Sequence, residues 1–340
     1  MTGLNMNEKI IMAHGSGGVF TGRLIREVFE ASYGNEILDK MEDAAVVEGS
    51  KRLAFTTDSF VVRPLVYPGG DIGRLCVCGT VNDLCTRGAV PKYLSASFII
   101  EEGMELDLLK RIAKSMAETA REAGVKIVTG DTKVVEGNGG LFINTSGIGV
   151  FPESLPDEKI PGLKKIKAGD AVIVSGTLGD HHASVLSARL EGEGRILSDT
   201  APLNNIAAGL IENGIDVHAM RDVTRGGLAT VLSEMAEGSE CEMEIKEESL
   251  PINKTVKAFA GMLGLDVLYM GCEGKMVIIL PKEDCEKALG LIKSLKYGEN
   301  AAVIGRVNAG KDGGRLILET GIGAKISLGA LAGEGLPRIC

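Results

Sequence analysis

The clearest periodicity in the chain runs from Asp107 to Ala123. Leu109, Ile112, Met116, Ala120 and Ala123 recur three or four residues apart, which is the spacing of one buried helix face, and Gly124 ends the helix. Shorter apolar runs on either side read as strands: Ala44–Val47, Leu53–Thr57 ending on Asp58, Lys92–Ile100, Val125–Thr129 reaching Gly130-Asp131, and Leu141–Phe151. A helix is expected over Thr21–Ala31. A second follows the turn Pro68-Gly69-Gly70-Asp71, with Asp71 as its N-cap and a stop near Gly88. Strand, helix and strand recur, so the fold class is mixed α and β.

The Pro-, Lys- and Glu-rich stretch 152–168 marks a boundary. Beyond it the pattern predicts a strand at Ala171–Ser175 and a helix from about Asp180. Further helices are expected at Asn204–Glu212, Gly227–Glu237 and Asn253–Met262, and strands at Lys275–Leu280, Ala301–Val307 and Arg315–Leu318. The end, Gly329 to Cys340, holds three more glycine or proline breaks at Gly333, Gly335 and Pro337 and little to pack, so it reads as a mobile tail. The expected units are 1–155, 156–328 and the tail 329–340.

Composition sharpens this picture. A chain of 340 residues suggests about two domains. With no Trp and 4% aromatics, the cores must be aliphatic. A net charge of −9 with no basic run argues against a nucleic-acid surface. No run of 18 apolar residues predicts a transmembrane helix, and Met1–Lys9 lacks an apolar signal core, so the expected location is cytoplasmic. Seven cysteines, an odd number with no Cys-x-x-Cys, are expected to stay reduced. Six lie in apolar contexts as small core residues; Cys340 is the last residue.

The chemistry is first constrained by what is missing. There is no Walker-type phosphate loop, no dinucleotide fingerprint and no serine elbow. What stands out is a set of aspartates. Asp58 and Asp131 each follow an apolar strand, Asp83 lies within an apolar helix, Asp43 precedes the first β run, and Asp222 precedes Thr224-Arg225-Gly226-Gly227. One aspartate at a strand end is commonly only a turn former. Asp83 resists that reading, because a buried carboxylate needs a partner or a metal. Together the five suit Mg²⁺ bridging phosphates. Lys133, two residues beyond Asp131, faces the same side of a strand and so can reach the space that Asp131 addresses, a solvated surface lysine being the alternative reading. Glu273 is a lone carboxylate between glycines, for which a turn is the simpler reading. Gly15, Gly17 and Gly18 in His14-Gly15-Ser16-Gly17-Gly18 can wrap phosphates with backbone amides, although a flexible glycine-rich start is the commoner cause of such a stretch. Cys340, near Arg338 on a loose tail, is a thiol that can travel.

These residues carry a family resemblance. Glu42-Asp43-Ala44-Ala45-Val46, Thr57-Asp58-Ser59-Phe60, Pro68-Gly69-Gly70-Asp71-Ile72-Gly73, Gly79-Thr80-Val81-Asn82-Asp83-Leu84 and Thr129-Gly130-Asp131-Thr132-Lys133 resemble the carbamoyl dehydratases of hydrogenase maturation, the HypE family. Arg221-Asp222-Val223-Thr224-Arg225-Gly226-Gly227 and the closing Pro337-Arg338-Ile339-Cys340 do so as well. The earlier blocks are similar, more weakly, to the wider PurM-like superfamily of aminoimidazole ribonucleotide synthetase, selenophosphate synthetase and thiamine monophosphate kinase. The Pro-Arg-Ile-Cys ending singles out HypE. The pattern departs at Cys272, where Asn is usual, and at His182, where Gly is usual.

The resemblance implies a two-domain PurM-like fold whose N-terminal sheet pairs across a homodimer. It implies ATP in the N-domain cleft near the interface, bound through Gly15, Gly17, Gly18, Asp43, Asp58, Asp83, Asp131 and Asp222, with the aspartates holding Mg²⁺. It also implies ATP-dependent dehydration of a carbamoyl group on Cys340 to a thiocyanate, with Glu273 as base and Lys133 orienting the amide or stabilising the departing oxygen. The implied donor is a carbamoyltransferase of the HypF family and the implied acceptor a HypC–HypD-type iron scaffold serving [NiFe] hydrogenase. Two other readings stand beside it. A superfamily kinase or synthetase for a free small molecule makes Cys340 dispensable. A non-catalytic carrier turns over no ATP.

Overall fold

The computed structural model of this protein describes residues 9–16, 18–41, 44–192, 196–310 and 313–332. Gly17, Asp43 and Cys340, with the tail from residue 333, lie outside the described residues.

The expected first helix forms as one run, in which a π-helical stretch (Ile25–Glu30) joins α1 (Gly18–Leu24) to α2 (Ala31–Tyr33). No strand forms over 44–47, which pairs with nothing in either large sheet. The next run does form a strand, and it does not stop at Asp58: β1 spans Leu53–Phe60. The short pair β2 (Val66–Tyr67) and β3 (Gly70–Asp71) leads into α3 (Ile72–Thr86), capped as expected by the Asp71 carboxylate, which accepts the Arg74 N–H at 2.9 Å. Then come β4 (Val90–Glu101), α4 (Leu106–Ala123), β5 (Lys126–Val135) and β6 (Leu141–Val150).

The first sheet has the order β1-β6-β4-β5. Helices α3 and α4 cover one face, where Phe60, Ala96, Phe98 and Ile143 pack with Leu75, Ile112 and Met116. Alternation along each strand sends the intervening residues to the other face, which nothing among the described residues covers. Leu53, Phe55, Ile99 and Val135 stand there exposed, Phe55 by 71%.

The second sheet has the order β13-β12-β9-β11-β7-β10-β8. Its centre explains the continuous apolar runs. In β7 (Ala171–Val174) and β10 (Met276–Leu280), Val172, Val174, Val277 and Ile279 face α5 (Asp180–Arg189), α7 (Gly227–Ser239) and α8 (Lys254–Leu263). Ala171, Ile173, Ile278 and Leu280 face α6 (Asn204–Glu212) and α9 (Cys285–Ser294). A strand buried on both faces has no polar side to alternate with. β11 (Ala302–Asn308) and β12 (Arg315–Glu319) fall where expected, while β8 (Ala219–Asp222), β9 (Glu242–Lys246), β13 (Lys325–Leu328) and α9 were not anticipated.

The joint between the sheets is α3, almost wholly buried and apolar over most of its surface, as a helix enclosed on nearly every side must be. Its Asn82 amide donates to Ala201 O at 3.1 Å and accepts the Leu203 N–H at 2.8 Å. Among the described residues all six cysteines are free thiols, with Cys76, Cys78, Cys85 and Cys272 buried. No helix of the described residues is long and apolar enough to cross a membrane.

Candidate active site

Asp58 and Asp131 both sit inside strands, which removes the turn-former reading for each. Along β1, Thr56, Asp58 and Phe60 point toward α3. There Thr56 Oγ1 donates to Asp83 Oδ2 at 2.8 Å. Asp83 leaves α3 at the point where the helix passes between β1 and β8. Asp222 is the last residue of β8. After it the chain must turn sharply into α7, and two consecutive left-handed glycines do this, Gly226 (φ +79°) and Gly227 (φ +65°). A Cβ on Gly227 would lie 2.4 Å from Leu268 O, so both conformation and space demand glycine.

Asp58, Asp83, Asp222 and Glu273 thereby line one cavity of about 370 Å³, with Ser59, Val61, Arg221, Arg225 and Thr230 among the other walls. Burial raises the pKa of Asp58 and of Asp83, and the neighbouring Asp83 charge adds to the rise at Asp58. Asp222 is pushed up to about 7 by burial, then by the charges of Asp83 and Asp58. Glu273 lies well above the usual carboxylate range through burial and the charges of Asp222, Asp199 and Asp58, with Arg225 opposing. Crowded carboxylates that resist ionisation are the signature of a site made for cations. Among the described residues no group of three or more His, Cys, Asp or Glu side chains is arranged to hold a metal ion by itself. Mg²⁺ needs no such group, because it binds through one or two carboxylates with phosphate and water oxygens supplying the rest.

Asp131 and Lys133 are elsewhere. They pair with each other as their spacing predicts, Nζ to Oδ1 at 2.8 Å, which lowers the Asp131 pKa. The register runs Asp58↔Thr145, Thr145↔Ala96 and Ala96↔Gly130 on the covered face, and Ser59↔Asn144, Asn144↔Ser97 and Ser97↔Asp131 on the open one. Asp131 is therefore on the opposite side of the sheet from Asp58 and three strands away, roughly 14 Å at 4.8 Å per strand. Within one chain Asp131 cannot share one phosphate group with Asp58, Asp83 and Asp222. Gly15 and β5 residues Thr129 to Lys133 instead line a second cavity, of about 330 Å³, whose walls include Ile25, Phe29, Tyr33, Ile37 and Phe98.

The loop carrying Glu273 also settles the departure at Cys272. Its side chain turns away from the cavity, and Sγ accepts the Gly179 N–H at 3.2 Å ahead of α5. The His182 N–H donates to Gly271 O at 3.1 Å. The two unusual residues thus take part in separate hydrogen bonds that join this loop to the start of α5. Sequence reasoning missed Arg221, Arg225 and Thr56 on the cavity side and Asp199 and Lys275 behind it. Arg225 lies in a glycine-flanked block that could have flagged it; Asp199 has no local signal.

Residues 41–151 match the family described as AIR synthase related protein, N-terminal domain, and residues 167–317 match its C-terminal domain. The chain is 44% identical over 342 residues to carbamoyl dehydratase HypE of Rhodobacter capsulatus, covering 98% of this chain and 99% of the relative. It superposes on a crystal structure of hydrogenase maturation protein HypE in complex with ATP with a TM-score of 0.92 at 42% identity, over 97% of this chain and 99% of the other. A HypE chain from a HypE–HypF complex matches with a TM-score of 0.78 at 46% identity, over 91% and 99%.

Proposed function

The chain belongs to the carbamoyl dehydratase HypE family, and on that premise we propose that it uses ATP to dehydrate an S-carbamoyl group on Cys340 to a thiocyanate, supplying the cyanide ligand of [NiFe] hydrogenase iron. The observation that carries this reading is where the described chain ends. Tyr269 Oη donates to Gly329 O at 3.1 Å, and the Leu331 N–H donates to Thr230 Oγ1 at 3.0 Å. Thr230 is itself a wall of the carboxylate cavity. Cys340 lies nine positions beyond Leu331, a reach of up to ~30 Å, so a thiol there can enter the cavity from a start at its rim. The functional units are 1–155, 156–328 and the tail 329–340.

An amide oxygen is a poor leaving group. In this reading the carbamoyl oxygen attacks the γ-phosphorus of ATP, the bond to ADP breaks, and one N–H proton is lost as the O-phosphorylated imidate forms. Glu273 then takes the second N–H proton, the C≡N bond closes, and phosphate leaves with the C–O electron pair. Glu273 suits this step because a carboxylate with a raised pKa is the stronger base. Asp58, Asp83 and Asp222 are the residues to hold Mg²⁺, which when bound neutralises phosphate charge. Arg225 and Arg221 add positive charge on the same wall.

The open face of the first sheet supports a homodimer. Its exposed apolar residues, Leu53 and Phe55 toward one end and Ile99 and Val135 toward the other, flank a middle of small polar residues, Thr57, Ser59, Asn144 and Ser146, and exposed apolar side chains of this kind favour burial against a partner. Ser59 and Val61 line the carboxylate cavity from the edge of that face, while Asp131 and Lys133 stand at its far edge. Twofold packing of two such faces carries Asp131 and Lys133 of one chain toward the cavity of the other. There Lys133 orients the amide or meets the developing oxyanion. The apolar second cavity, with Gly15 at its wall, fits the purine base. The donor is a carbamoyltransferase of the HypF family, which the solved HypE–HypF complex supports, the acceptor is a HypC–HypD-type scaffold, and the setting is the cytoplasm.

The test is the mass of the C-terminal peptide after incubation with the carbamoyltransferase, carbamoyl phosphate and MgATP. A carbamoyl adduct that loses one water only when ATP is hydrolysed is expected, with no adduct in Cys340→Ala. An unmodified Cys340 beside ATP turnover on a free small molecule would sink the reading in favour of a superfamily kinase.

A further inference from the structure

Asp199 and Lys275 form an ion pair almost sealed from solvent, with side chains 5% and 9% exposed and Nζ to Oδ2 at 3.3 Å. Burying two charges is costly, and an apolar pair of the same volume is often as stable. The pair therefore calls for a reason other than stability. Its second set of contacts supplies one. Asp199 Oδ1 accepts the backbone N–H of Glu273 at 3.2 Å, and Lys275 Nζ donates to Gly274 O at 3.0 Å. The two charged side chains hold the loop on both sides of Glu273 by its backbone. The Ala201 N–H completes the grip by donating to Glu273 O at 3.2 Å.

The grip is tied to the carboxylates of the cavity through two further backbone links. Ala201 O is held by Asn82, the α3 residue next to Asp83. The Cys272 N–H donates to Val223 O at 3.1 Å and the Val223 N–H to Lys275 O at 2.8 Å, which joins the loop to the residue after Asp222. At Gly274 the two loops touch backbone to backbone, so closely that a Cβ there would lie 1.8 Å from Asp199 O.

We propose that Asp199 and Lys275 are positioning residues for the dehydration step, a charged clamp that fixes the Glu273 carboxylate relative to Asp83 and Asp222. This rests on the reading of Glu273 as the base. The clamp touches neither nucleotide nor carbamoyl group. Its loss lets the loop shift without altering the carboxylates that face the phosphates, and a displacement of about 1 Å costs on the order of 10²-fold in rate.

The experiment is single-turnover water loss from the full chain, carbamoylated at Cys340, over a range of MgATP. Asp199→Asn, close to isosteric, and Lys275→Met should slow water loss by roughly 10- to 100-fold. The half-saturating MgATP should stay within about twofold of the parent, as expected when only transition-state interactions are lost. Lys275→Arg, which keeps the cation, should recover most of the rate. Water loss at the parental rate in Asp199→Asn would overturn the proposal, as would a slow rate matched by an equal rise in half-saturating MgATP. If Lys275→Met does not fold, Asp199→Asn alone decides. Glu273→Gln run alongside separates the two ideas. If it is inactive while Asp199→Asn is fully active, only the clamp fails; if it loses water normally, the base assignment fails and the clamp with it.

Discussion

Replacing Asp222 with asparagine should make the metal-free protein more stable, and increasingly so as pH rises. Asp222 is raised from 3.8 to about 7, first by burial and then by the charges of Asp83 and Asp58. A carboxyl with a raised folded pKa holds its proton more tightly in the folded state. Between the two pKa values the folded chain binds more protons than the unfolded one, so stability falls as pH rises through that window. At about 1.4 kcal/mol per pKa unit, the ionised group costs roughly 2 kcal/mol at pH 5 and about 4 kcal/mol at pH 8. Asp222→Asn keeps the shape and removes the charge, so it should recover up to these amounts. Urea denaturation followed by circular dichroism, in chelator and at several pH values from 5 to 8, reads the gain directly. Adding MgATP should then reverse the order, because only the parent gains the full linkage from binding. An Asp222→Asn protein less stable than the parent at pH 8, or a gain that does not change with pH, would refute the account of the cavity as crowded carboxylates awaiting a cation.

Two other outcomes follow from the fold. Asp71→Ala removes the cap of α3 and should cost about 1 kcal/mol, seen as a lower urea midpoint, with Asp71→Asn restoring most of it. Phe55→Lys puts a charge on the open sheet face, on the edge strand β1. Sedimentation should show a monomer at micromolar concentration, the thermal transition of the first sheet should survive, and water loss should fall because Asp131 and Lys133 no longer reach a second chain.

Much of the architecture is written locally. The Leu109-to-Ala123 spacing marks α4, the Asp71 turn marks the start of α3, and the unbroken apolar runs of β7 and β10 announce burial on both faces, because each pattern reports a period or a cap that neighbours in sequence create among themselves. β9 was not anticipated, although Glu242-Met243-Glu244-Ile245 alternates with period two. Its charged half is matched by Arg306 and Arg315 on the adjacent strands β11 and β12 and by Lys325 on β13, one strand further out, and those partners are not neighbours in sequence. The site residues were less plain: Asp83 stood out as a carboxylate where a carboxylate is costly, Asp58 and Asp222 gained weight only as members of a set, and Glu273 taken alone read as a turn residue. Which of them meet was decided only by the tertiary structure. The order β1-β6-β4-β5 sets the parity by which Asp58 faces α3 while Asp131 faces outward, and no local pattern encodes which strands become neighbours. The clamp of Asp199 and Lys275 is a product of the same step. These charges lie 76 positions apart, and only the packing of two loops backbone to backbone turns them into a pair aimed at Glu273.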